Sequence, residues 1–120
     1  MDLPETRQLR NVLFDFYGDM LTAKQRDVFK LHYMDDNSLA EIGAALAITP
    51  QAVADMLKRV NARLSRYESL LKMAEKFEYG QSLAAEIHLA LDSLAKNPSA
   101  LERDALIAKI RAVLENMKEL

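Results

Sequence analysis

The chain has no cysteine and no tryptophan, only three glycines and three prolines, and few aromatics. Without cysteine there is neither a disulfide nor a thiolate metal site, a composition suited to a reducing cytosol. Also missing are a leader-like start and any run of about 18 apolar residues, so the expectation is a cytoplasmic protein, neither secreted nor membrane-spanning. No stretch alternates long enough for a half-buried strand. Breakers are rare while Ala, Leu, Glu and Lys are plentiful, which favours helix. The fold class expected is all-α, and 120 residues at 50% apolar content amount to one domain's worth of protein.

Catalysis has little to build on. The three glycines are isolated, so no phosphate-cradling loop exists, and His32 and His88, the only histidines, fall in different helices without a nucleophile or carboxylate pattern. Asp35 and Asp36 form an acidic pair, but no further ligand or positioned group supports them, and Asp35-Asp36-Asn37 reads as a turn beside a helix start. No enzyme activity, cofactor or metal is expected.

What is present centres on Ser38–Leu64. Ser38 with Glu41 makes a capping box, in which each side chain satisfies an orphan backbone N–H. Leu39, Ile42 and Leu46 then give a short helix one apolar stripe, and Gly43 on that helix permits a close approach. Ala47-Ile48 is the turn, Ile48 pinning its corner. Thr49 caps the next helix and Pro50 occupies its first position, where a missing N–H costs nothing. Val53, Leu57 and Val60 direct that second helix back onto the first. This is a helix-turn-helix, whose second helix can lie in a DNA major groove.

Upstream, Leu9, Val12, Leu13, Phe16 and Met20 recur at helical spacing within a first helix over Pro4–Met20, with Phe14 and Tyr17 beside the stripe as further core. Thr22 to Gln25 is a second capping box, opening a helix through about Tyr33 with Val28, Phe29 and Leu31 inward. Downstream, no proline or glycine interrupts Pro50–Tyr79, which predicts one rod of roughly 45 Å ending near Gly80. Val53, Leu57, Val60, Leu64, Tyr67, Leu71 and Ala74 follow a 4-3-4-3-4-3 spacing, a coiled-coil seam that calls for a partner. Leu83, Ile87, Ala90, Leu91 and Leu94 form the face of a further helix, which Asn97-Pro98 breaks. A third capping box, Ser99 with Glu102, starts the last helix, with Leu106, Ile110, Val113, Leu114 and Met117 inward. These helices fold back on the chain or pack against a second copy. Because so much apolar surface is unusual on a monomer, a two-fold homodimer is expected, its seam drawn from Leu57, Val60, Leu64, Tyr67 and Leu71. The expected division is a helix-turn-helix domain over 1–66 and a helical dimerisation extension over 67–120, together one continuous compact unit.

The formal net charge is −2, but residues 49–66 carry Lys58, Arg59, Arg63 and Arg66 against Asp55 alone, a local +3. In a groove-reading helix Thr49, Gln51 and Asp55 face outward, Gln51 being suited to adenine and Asp55 to cytosine N4. Lys58, Arg59 and Arg63 are the candidate phosphate contacts. Asp55 would also repel phosphate, and it stands four residues before Arg59, at ion-pair spacing. The plainer alternative is a solvated helix face.

The run LTAKQRDVFKLHYMDDNSLAEIGAALAITPQAVADMLKRV resembles region 4 of sigma factors, and more closely the YlxM-like family of small bacterial helix-turn-helix proteins. NVLFDFYGDMLTAKQR before it and YESLLKMAEKFE after it extend the similarity to roughly residues 8–80. The resemblance implies a sigma region 4-like fold of the winged-helix-like superfamily without a wing, and a nucleic-acid-binding, regulatory role. Through the family's usual gene neighbourhood it also implies an association with the signal recognition particle pathway. Three functions stay open: a DNA-binding transcriptional regulator, a non-catalytic adaptor for a protein or RNA of that pathway, or a pure dimerisation scaffold whose motif has lost its DNA-binding role. One departure is Ala47, where such motifs usually place glycine.

Overall fold

A computed structural model describes residues 6–120; Pro4 and Glu5, at the expected start of the first helix, lie outside them. The described residues form six α-helices: α1 (Arg7–Tyr17), α2 (Ala23–Phe29), α3 (Leu39–Leu46), α4 (Pro50–Leu71), α5 (Met73–Leu94) and α6 (Ala100–Met117). A 3₁₀ turn over Gly18–Met20 follows α1, and a π turn over Lys30–Met34 prolongs α2. The chain divides into two units, residues 1–74 and 75–120. The boundary therefore falls at Ala74, beyond the expected Arg66, and the single unit expected is two.

Local chemistry starts most of these helices. Thr22 and Gln25, Ser38 and Glu41, and Ser99 and Glu102 each exchange both hydrogen bonds of a capping box. Thr6 and Thr49 cap α1 and α4 by accepting from Leu9 N–H and Ala52 N–H.

The first unit packs α1, α2 and α3 around α4. Leu13, Phe14 and Tyr17 of α1, Leu21, and Phe29 of α2 meet Val60 and Leu64 of α4. Phe14 and Phe29 stack with centroids 4.2 Å apart. Here α1 departs from the predicted stripe: Leu9 and Met20 are exposed, and the buried edge rotates onto Phe14 and Tyr17. Val28, Ile42, Val53 and Leu57 close a second cluster beneath the turn, flanked by Ile48. One polar side chain enters this interior. Asn61 is 8% exposed and donates from Nδ2 to the Tyr33 hydroxyl at 2.8 Å, while its buried Oδ1 has no partner among the described residues.

Two sequence expectations need correction. The rod predicted over Pro50–Tyr79 ends at Leu71, because Lys72 adopts a left-handed conformation (φ 55°, ψ 31°) as the cap of α4. No glycine or proline marks this break. Side chains from earlier in the chain capture the start of α5 instead: Met73 N–H donates to the Tyr17 hydroxyl at 2.9 Å, and Ala74 N–H to Glu68 Oε1 at 3.0 Å. The Tyr17 hydroxyl in turn donates to Glu68 Oε1 at 2.6 Å. Two orphan donors of a helix start are thus satisfied by a phenol and a carboxylate already bonded to each other.

The second correction concerns the seam. Leu57, Val60 and Leu64 are at most 5% exposed, covered by α1, α2 and α3 of their own chain. Tyr67 also packs against the first cluster, leaving Leu71 as the exposed member. The heptad spacing is real, but the partner that fills it is intramolecular.

The helix-turn-helix corner has one tolerated oddity and one strict requirement. Ala47 caps α3 in the left-handed region (φ 57°, ψ 41°), where a Cβ costs about 1–2 kcal/mol. At Gly43 a Cβ would stand 2.6 Å from the Ile48 carbonyl oxygen and 3.3 Å from Pro50 N. We expect Ala47→Gly to stabilise the protein by about 1 kcal/mol and Gly43→Ala to destabilise it by about 1–3 kcal/mol, measured by urea denaturation. The same sign for both would contradict this geometry.

Tyr17 supplies a pH-dependent test. Burial, followed by its hydrogen bond to Glu68, pushes the phenol from its ordinary 10.0 up to about 12. A raised folded-state value means the stabilisation is complete below pH 10 and is lost as pH rises through about 12. Tyr17→Phe should lower stability near neutrality by about 1–3 kcal/mol, and the gap to wild type should narrow across that alkaline window. A gap that stays constant to the end of the window would exclude the hydrogen-bonded phenol as its source.

Candidate nucleic-acid interface

A helix has about 3.6 residues per turn, so the core residues Val53, Leu57, Val60 and Leu64 fix which side of α4 faces outward. That side carries Gln51, Asp55, Lys58, Arg59 and Arg66, all exposed. Arg63 is exposed as well, roughly 80° round the helix from Asp55 at about 100° per residue. Thr49 lies at the tip, where its hydroxyl is engaged by Ala52 N–H at 3.1 Å. Of the residues expected to read bases, Gln51 and Asp55 do share the outward side, but they are bonded to each other: Gln51 Nε2 donates to Asp55 Oδ1 at 3.2 Å. The Asp55–Arg59 ion pair allowed by their spacing is not formed, whereas Lys118 and Glu115 pair at 2.9 Å.

The start of α2 lies beside this side of α4. Thr22, Lys24 and Gln25 border a cleft whose opposite wall is Ala52, Asp55, Met56 and Arg59. Lys24 therefore joins Arg59 at one flank of α4, a basic residue that attention to the second helix alone overlooks. A sequence signal for it exists. Lys24 occupies the first turn of a helix, where the macrodipole disfavours a cation, and α2 has no acidic residue in that turn. The first turns of α1 and α4 lack acids too. Three helix starts in one unit thus keep their partial positive charge uncompensated by local carboxylates.

His32 is structural in its Nδ1, which bonds the Asn37 carbonyl at 2.9 Å and so carries the proton. His88 is exposed on α5. Asp36 lies in the turn before α3 with φ 57°, consistent with the reading of residues 35–37 as a turn. No three His, Asp or Glu side chains among the described residues come together as a metal site, and no described helix is long and apolar enough to cross a membrane.

A capped α3, a left-handed corner at Ala47, a capped α4 and no strand among the described residues define an all-α helix-turn-helix protein. Residues 4–116 match the family described as "Putative helix-turn-helix protein, YlxM / p13 like", and the chain belongs to that family. Similar proteins include a UPF0122 protein of Shouchella clausii, 46% identical over 83 residues, covering 69% of this chain and 76% of that protein. Another, from an Exiguobacterium species, is 40% identical over 105 residues, covering 85% of this chain and 97% of its own length.

Proposed function

We propose that this protein binds duplex DNA as a transcriptional regulator, with α4 in the major groove. The observation that carries the reading is the outward side of α4, where Lys58, Arg59 and Arg66 are exposed and form no ion pair with a described carboxylate. Gln51 is the base reader, released from Asp55 when a base edge offers a better partner. Lys58, Arg59 and Arg63, with Lys24 beside them, hold phosphates. A second reading, an adaptor for a protein or RNA of the signal recognition particle system, is favoured by Asp55, a carboxylate at the centre of that side which repels a phosphate backbone.

Anisotropy with a labelled mixed-sequence duplex across a salt series tests the first reading. Binding should fall steeply with salt as counterions are no longer released at a profit in entropy, and Lys58→Glu with Arg59→Glu should reduce affinity by at least about a hundredfold, since two phosphate contacts become repulsions. Unchanged affinity in the double variant would remove the reading, and preference for a structured RNA hairpin over the duplex would favour the second.

We also propose that the protein acts as a two-fold dimer joined through residues 75–120. Supporting this, only Leu83, Ala90 and Val113 are buried in that unit, too few to hold two helices together alone. The turn over 95–99 makes α5 and α6 antiparallel, and a Cβ on Gly80 would lie 3.4 Å from Leu120 Cδ1. Beside the α5–α6 seam runs a second stripe. Ala84 and Leu91 stand seven residues apart on α5, and Ile107 and Leu114 do so on α6. Leu91, Ile107 and Leu114 are 48, 36 and 49% exposed. Both stripes are offset from the buried residues in the same rotational sense. In antiparallel helices that offset falls on one side of the pair, so the unit presents a single apolar face. A second copy offers the same face, and two such hairpins complete a four-helix bundle. Light scattering on the wild-type protein should give the dimer mass, and Leu91→Glu with Leu114→Glu the monomer mass. Leu101→Glu, on a side chain 82% exposed at the start of α6, should leave the dimer intact. A monomeric wild type, or a dimeric double variant, would overturn the arrangement.

A further inference from the structure

We infer that the cleft between α1 and the start of α3 is a phosphate-binding site that grips the DNA backbone at a point separate from α4. The inference rests on the duplex reading above. The cleft has a volume of about 370 Å³ and is walled by Arg7, Arg10, His32, Tyr33, Asp36 and Ser38. Two guanidinium groups and one carboxylate line it, with the Glu41 carboxylate bonded to Ser38 at its edge. Neither arginine forms a salt bridge with a described residue.

Arg10 is the anchor. Its guanidinium lies over the Tyr33 ring with the central carbon 3.8 Å from the ring centroid. That contact holds the group against the ring and strips water from the side facing it. Its Nε is buried and has no hydrogen-bond acceptor among the described residues. Tyr33 is itself held by the Asn61 amide at 2.8 Å, so the stacking platform is tied to the core beneath α4. A guanidinium held against a ring, partly dehydrated and without a carboxylate partner among the described residues is arranged to receive an oxyanion through its fork.

Two neighbours complete the receptor. His32 spends its Nδ1 proton on the Asn37 carbonyl, so Nε2 donates to a phosphate oxygen only when the ring holds both protons. Ser38 begins α3, whose first N–H groups and dipole favour negative charge, although Glu41 already engages the Ser38 N–H at 3.1 Å. The placement also selects the source of the phosphate. With the second helix of the motif in the groove, the first crosses the sugar-phosphate backbone. The far end of α3, about 12 Å from the turn at 1.5 Å per residue, then lies where backbone phosphates run.

The same duplex titrations, made on Arg10→Gln, Arg10→Lys and Arg7→Gln, test the site. Arg10→Gln should weaken duplex binding by about tenfold and lower the salt slope by about one. Arg10→Lys should keep the slope while recovering only part of the affinity, because the charge survives and the fork does not. Arg7→Gln, on an exposed side chain, should lower the slope in the same direction and decides the matter if Arg10→Gln fails to fold. Affinity and slope unchanged in folded Arg10→Gln, while the Lys58/Arg59 reversal abolishes binding, would overturn the site and leave the duplex reading standing. Wild type that binds no duplex would sink that reading and the duplex as the site's ligand. Inorganic phosphate then judges the cleft itself: a saturating shift of the His32 ring resonances that Arg10→Gln lacks sustains a phosphate site, and no shift overturns it.

Discussion

One hydrogen-bonded node sets the course of this chain: Tyr17 of α1, Glu68 of α4 and the first two free N–H groups of α5. A long helix with an uninterrupted apolar stripe propagates by default, since each added residue gains a bond already nucleated. Stopping it without proline or glycine requires something that rewards the turn more than another helical residue would. Here Lys72 takes the strained conformation, and the new helix finds its capping acceptors prepaired. The node also ties the end of α4 to the helix that covers its middle. The packing of α1 on α4 and the termination of α4 therefore share the same hydrogen bonds.

The electrostatics of the first unit follow a similar economy. Net charge is slightly negative, yet the starts of α1, α2 and α4 carry no acid in their first turns. Lys24 and Arg59 border one cleft, and Arg7 and Arg10 border another. Each cleft also holds one acid, Asp55 or Asp36, so basic residues outnumber acids two to one at both edges. A whole-chain charge conceals that distribution.

Much of the fold is legible in the residues because its signals are short-ranged. Each capping box is a relation between positions three apart, and Thr49-Pro50 marks the start of α4 just as locally. Gly43 could be read as a site of close approach, although its nearest obstacle is the turn carbonyl of Ile48 more than a facing helix. What escaped is long-ranged. The break at Lys72 depends on a phenol 56 positions from Met73. Heptad spacing reveals that Leu57, Val60 and Leu64 need cover, but not that α1 and α2 supply it. The same applies to the candidate interface. Gln51, Lys58 and Arg59 follow from helical phase, whereas Arg10 becomes conspicuous only when Tyr33 is seen beneath it.

Asn61 interrupts an otherwise greasy stripe, and that has a bearing on how nascent copies sort themselves. A helix with such regular leucine and valine spacing could zip onto the equivalent helix of a neighbouring molecule before its own covering helices arrive. An amide in mid-stripe makes that mistake costly, because only the native wrapping offers it a tyrosine hydroxyl. The residue gives up some cohesion to secure fidelity: it lets each molecule recognise its own parts first.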